Sequence, residues 1–130
     1  MPTSLNTVAV IDDDPIVLEA TSSLLAAFAF KTESYASAEA FLESAAASRA
    51  GALVCDIHLG GASGLELARR LAAEGLNLPI IFVTGSDAEC IRREATELGC
   101  VAFLRKPFFS SALIEALTRL RRNASHPPPR

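Results

Sequence analysis

Tryptophan is absent from this sequence, tyrosine and methionine occur once each, and there are only two histidines. The three cysteines, Cys55, Cys90 and Cys100, form no Cys-x-x-Cys pair, and no histidine stands at zinc spacing from them. That pattern argues against metal–thiolate chemistry and fits reduced thiols packed as small hydrophobes. Basic residues do not dominate either. Twelve Lys and Arg stand against fifteen Asp and Glu, a formal net charge of −3, so the chain has no electrostatic footprint for nucleic acid. No apolar run is long enough to cross a bilayer, and the first residues lack the basic, apolar and cleavage regions of a signal peptide. The expected compartment is the cytoplasm, with neither a membrane nor a directly bound nucleic acid as partner.

What is present is a globular composition: 130 residues, half of them hydrophobic and about a fifth charged, enough for one domain with its own core. The central stretch is Leu53-Val54-Cys55-Asp56-Ile57-His58-Leu59. Apolar residues run without alternation into a carboxylate, as in a strand covered on both faces. Similar strands are predicted at Thr7–Ile11, Ala52–Asp56, Pro79–Val83 and Val101–Arg105. A more polar one at Lys31–Ala36 suits a sheet edge. Helices are expected from Pro15 to about Phe28, after Ser37 as N-cap, from Gly64 to Glu74 after Ser63, between Asp87 and Gly99, and from about Ser111 to Arg122. Residues 1–6 read as an N-terminal extension, 7–122 as the domain, and 123–130 as a disordered proline-rich tail. Strands alternating with helices predict a doubly wound α/β fold around a five-stranded parallel sheet.

In a parallel sheet every strand ends on the same side, where open α/β sheets bind ligands. The groups gathered there are Asp12, Asp13 and Asp14, then Asp56, Thr84 and Lys106. Crowded carboxylates call for a cation, and a hard divalent ion such as Mg²⁺ suits oxygen donors. Lysine and threonine can engage phosphate oxygens, and a carboxylate can be a nucleophile toward a phosphoryl group. The set reads as a device for receiving a phosphoryl group on Asp56.

From Thr7 to about Arg122 these residues resemble the receiver domain of two-component response regulators, and within that family the nitrogen-fixation type. The resemblance implies the flavodoxin-like strand order 2-1-3-4-5. It implies that Asp56 is the phosphoacceptor, with Asp13 a direct Mg²⁺ ligand, Asp12 acting mostly through water, and the backbone carbonyl of His58 completing the metal site. Asp14 stands where many members have Asp or Glu. Thr84 matches the switch hydroxyl, Lys106 the lysine that salt-bridges the phosphoryl group, Pro107 the proline after it, and Phe103 the switch aromatic. The implied partners are a sensor histidine kinase or phosphotransfer protein, and downstream a protein target or tethered output domain. The face of the fourth helix, fifth strand and fifth helix is expected to respond, with a phosphorylation-linked homodimer as one form of that response. Such a protein is phosphorylated rather than an enzyme acting on other substrates. The chain is read as either a stand-alone receiver or a piece of a longer regulator.

Gly60 and Gly61 depart from the family pattern, which has proline four residues after the phosphoacceptor, and suggest a mobile loop. His58 is either an exposed side chain that lends only its carbonyl or a ring that alters the acyl-phosphate lifetime. On the first helix, Ile16 and Leu18 flank the stripe of Val17, Thr21 and Leu24; one is exposed to a kinase, or both widen the buried stripe. Two rival functions are a phosphorylation-independent interaction module of the same fold and a haloacid dehalogenase-type phosphatase. Asp12-x-Asp14 suggests the latter, but that class needs a cap or longer core, and position 16 is Ile.

Overall fold

Five strands, each followed by a helix, alternate along the chain: β1 (Ser4–Ile11), α1 (Pro15–Ala27), β2 (Lys31–Tyr35), α2 (Ala38–Ser44), β3 (Ala50–Asp56), α3 (Gly64–Ala73), β4 (Ile80–Thr84), α4 (Glu89–Glu97), β5 (Ala102–Arg105) and α5 (Ser110–Ser125). This computed structural model describes residues 4–44, 48–59, 61–76, 78–85, 89–105 and 110–125. The strands form one parallel sheet in the order β2-β1-β3-β4-β5.

Period-two alternation divides the core into two layers. Val8 and Val10 of β1, Ala52 and Val54 of β3, and Ile81 and Val83 of β4 pack with Leu25 of α1 and Leu113 and Leu117 of α5. Their neighbours Ala9 and Ile11, Leu53 and Cys55, and Ile80 and Phe82 pack with Phe41 of α2, Leu65, Leu67 and Leu71 of α3, and Ala95 of α4. All seven residues of β3 are buried, which explains why its sequence shows no alternation. At the β2 edge, the Tyr35 ring meets Phe41 edge-to-face, with centroids 5.2 Å apart.

Helix starts follow their caps. Asp14 Oδ1 accepts from the Ile16 backbone N–H at 2.9 Å, Ser37 Oγ from Ala40 at 3.0 Å, and Ser63 Oγ from Glu66 at 3.1 Å. Three helices share one C-terminal device, in which a left-handed residue lets the next N–H reach back to a carbonyl five residues earlier. The left-handed residues are Ala29 (φ 69°), Gly75 (φ 77°) and Gly99 (φ 80°). The bonds are Phe30 to Leu25 at 3.0 Å, Leu76 to Leu71 at 2.9 Å and Cys100 to Ala95 at 3.2 Å.

Two predicted boundaries are corrected. β1 already begins at Ser4, paired with Ala50 across an irregularity before Val8, so residues 4–6 are strand rather than extension. Ladder pairing is a backbone property and does not need apolar side chains there. α5 continues to Ser125, so 123–125 belong to the helix rather than the tail. Residues 126–130 lie outside the described residues, as do Asp87 and the Ala45-Ala46-Ala47 run.

Candidate functional site

β1 and β3 are neighbours, so the chain leaving β1 and the last residue of β3 must meet. Carboxylate oxygens of Asp12, Asp13 and Asp56 lie within 4.8 Å of one another. Asp12 and Asp56 are buried, whereas Asp13 is exposed. Asp12 Oδ1 accepts from the Asp14 backbone N–H at 2.9 Å, a tight turn that orients the acidic run. Asp14 is occupied as the cap of α1 and does not join the cluster. Below the carboxylates, Val10, Val17, Thr21, Val54 and Val83 line a cavity of about 20 Å³ that also touches Asp12 and Asp56.

After Asp56 the chain turns at once. The His58 backbone N–H donates to Asp56 Oδ1 at 2.9 Å, which fixes one carboxylate oxygen, while the His58 residue itself is exposed. Gly64 N–H closes the loop onto Ile57 O at 3.0 Å. A Cβ at Gly64 would lie 2.6 Å from the Asp56 carbonyl oxygen, so only glycine permits this approach. Ala62 N–H donates to Glu39 Oε2 of α2 at 3.0 Å, holding the far side of the loop expected to be mobile. Gly60 lies outside the described residues.

Thr84 ends β4 fully buried, in register with Arg105 at the end of β5. Phe103 is partly buried against the α2–α4 layer, and the Arg92 guanidinium lies 5.4 Å from its ring centroid. Arg69 of α3 pairs with Glu94 of α4, the helix that also carries Arg92. Lys106 and Pro107 follow β5 directly in sequence but lie outside the described residues. On α1, Ile16 is 78% exposed, whereas Leu18 packs against the α1–α5 layer. Cys55 points away from the site into the opposite layer; its Sγ donates to Asp56 O at 3.3 Å. Burial, then the charges of Asp56 and Asp12, push its thiol pKa far up.

An all-oxygen donor set at this spacing suits a small hard divalent cation, with room left for water or phosphate oxygens. The residues present therefore fit Mg²⁺. The profile of the response regulator receiver domain matches residues 8–118. The chain belongs to the response regulator receiver family. This is a family of two-component signalling proteins rather than classical enzymes. The receiver is 39% identical over 117 residues to the transcriptional regulatory protein FixJ of Azorhizobium caulinodans, covering 90% of this chain and 55% of that protein. It is 35% identical over 108 residues to the response regulator protein TmoT of Ectopseudomonas mendocina, covering 83% and 49%. The chain thus spans about half the length of these curated relatives. Among solved structures, the crystal structure of FixJ-N superimposes with a TM-score of 0.82 at 36% identity, covering 89% of this chain and 93% of that one.

The resemblance to the nitrogen-fixation type and the strand order are thereby borne out. Among the described residues, no helix of this receiver is long and apolar enough to cross a membrane. Glu39 and Arg92 were not singled out by sequence. Glu39 acts across 23 positions, and Arg92 reads as one of several charges on an amphipathic helix. No spacing rule within one element could have found either.

Proposed function

We propose that this receiver accepts a phosphoryl group on Asp56 from a phosphohistidine of a sensor kinase or phosphotransfer protein. The observation that carries this reading is the meeting of Asp12, Asp13 and Asp56 within 4.8 Å at the mouth of the sheet. In the transfer, an Asp56 carboxylate oxygen forms the new P–O bond while the P–N bond to the donor imidazole breaks. The imidazole leaves with the bonding pair and takes a proton from solvent. The His58 backbone N–H, donating to Oδ1, orients the carboxylate throughout. Asp12, Asp13, Asp56 and the His58 carbonyl would hold Mg²⁺. When bound, the ion supplies positive charge that offsets the carboxylates and the phosphoryl oxygens. Lys106 neutralises further phosphoryl charge.

Thr84 then turns toward a phosphoryl oxygen, and Phe103 rotates into the space released. The face of α4, β5 and α5 passes from one packing to another. Moving that equilibrium from mostly off to mostly on takes roughly 5 kcal/mol of differential stabilisation. Ile16, exposed in the first turn of α1, is the apolar contact offered to the kinase. The responding face binds a downstream protein, a tethered output domain or a second phosphorylated copy, and the setting is the cytoplasm. Incubation with Mg²⁺ and a small phosphodonor tests the reading. The wild-type chain gains an acid-stable, alkali- and hydroxylamine-labile phosphoryl group, and Asp56→Asn gains none. Labelling that persists in Asp56→Asn, or none in the wild type, would overturn it.

A further inference from the structure

The loop leaving Asp56 carries His58, whose backbone lies against the candidate phosphoacceptor, yet its far side is held by another element. Glu39 Oε2 of α2 accepts the Ala62 N–H at 3.0 Å. A Cβ added at Gly61 would sit 2.6 Å from the same oxygen and 3.0 Å from Oε1, so the carboxylate lies directly against the loop backbone. The Ala62 bond heads the causes that hold the Glu39 carboxyl below its ordinary range, with a smaller contribution from the Arg70 charge. Arg70, on α3, lines with Glu39, Leu42 and Glu43 the groove between α2 and α3. The loop therefore has two fixed points: its neck, where Gly64 N–H closes on Ile57 O, and Ala62, held on Glu39.

We propose that Glu39 is a positioning residue for the Asp56 site, acting as a strut that holds the 57–63 loop so that the His58 backbone faces the carboxylates. The inference rests on the phosphoacceptor reading and adds to it a residue on a different element. The strut works through its acceptor oxygen rather than its charge, because it is exposed, where solvent screens charge strongly. Glutamine at 39 keeps an acceptor and alanine does not. Alanine at Gly61 would displace the flexible carboxylate and break the same bond from the other side.

The test is Mg²⁺ titration of the full chain followed by backbone amide shifts, with hydrogen exchange at His58 and Ala62 measured on the same samples. Glu39→Ala and Gly61→Ala should each weaken Mg²⁺ binding by about twofold to fivefold, the range of an exposed polar contact, and speed exchange at both amides. Glu39→Gln should stay near wild type. The double variant should be no worse than either single one, since both remove one bond. Glu39→Gln as weak as Glu39→Ala, additive single variants, or unchanged exchange at His58 would each overturn the strut. If the wild type binds Mg²⁺ but is never phosphorylated, the phosphoacceptor reading fails while the strut is still decided by these readouts. If Mg²⁺ does not bind at all, exchange at His58 alone decides it.

Discussion

The two ends of the sheet are built on opposite plans. At the end where the strands start, three helices finish with the same backbone device, and the residues that matter are Ala29, Gly75 and Gly99. Side chains there are mostly apolar, Phe30 buried and Leu76 and Val101 partly exposed. At the end where the strands stop, almost every position differs: Asp12 and Asp13 after β1, Asp56 at the end of β3, Thr84 at the end of β4. Buried polar groups are concentrated here, with Asp12, Asp56 and Thr84 each at most 7% exposed. One end repeats a solution to chain reversal; the other assembles unlike groups around a candidate metal site. Burying carboxylates side by side opposes folding, so the plain end supports the chemical one.

The largest expected break in this contrast comes from metal. At a hundredfold excess over Kd, Mg²⁺ should stabilise the fold by about 2.7 kcal/mol, raising the thermal midpoint, and a chelator should return it. Asp13→Ala, an exposed member of the cluster, should lose most of that increment without loss of the metal-free fold. Next is Gly64→Ala, whose Cβ would lie 2.6 Å from the backbone oxygen of Asp56. It should cost about 2 kcal/mol in denaturant unfolding, and it should distort the site as well.

At the plain end the effects are smaller and of either sign. Ala29 adopts a left-handed conformation, φ 69°, that costs a residue with a Cβ about 1 kcal/mol. Ala29→Gly should recover roughly that amount and Gly75→Ala lose it, by chemical denaturation, with phosphotransfer unchanged in both. A gentler effect concerns Glu33. Burial raises its pKa, but hydrogen bonds from Ser48, the Arg49 backbone and Tyr35 together outweigh this and hold it below its ordinary 4.5. A depressed folded-state pKa gives stability that is complete above the unfolded value and lost as pH falls from about 4.5 through the folded value. Glu33→Gln should therefore lower the midpoint near neutrality and flatten the acid limb, the two curves converging as pH falls below the folded value. The smallest stability effect is Ile16→Ser, within about 0.5 kcal/mol, although phosphotransfer from a kinase should slow.

The chemical end was the more legible one in the sequence. Its groups are short polar insertions where long apolar strands stop, and parallel topology brings them together without any knowledge of packing. The five strands, five helices and caps Ser37 and Ser63 were readable because periodicity and capping are local. Ala29 was hidden, because glycine is the usual mark of a left-handed helix end. Ser4–Asn6 was hidden because pairing with β3 uses backbone groups. The Glu39 contact is a meeting of loop and helix that only tertiary packing creates. The loop was expected to be loose because it contains Gly60 and Gly61; Gly61 instead permits Glu39 to lie close.

Cys55 has a practical consequence. A thiol reacts through its thiolate, and this one is buried, bonded to the Asp56 carbonyl and held protonated. Alkylating reagents should reach it only when the α2–α4 layer lifts from the sheet. Its modification rate then counts those openings of the helix layer, so a mass spectrometer could follow the stability of this domain in crude extracts at natural abundance.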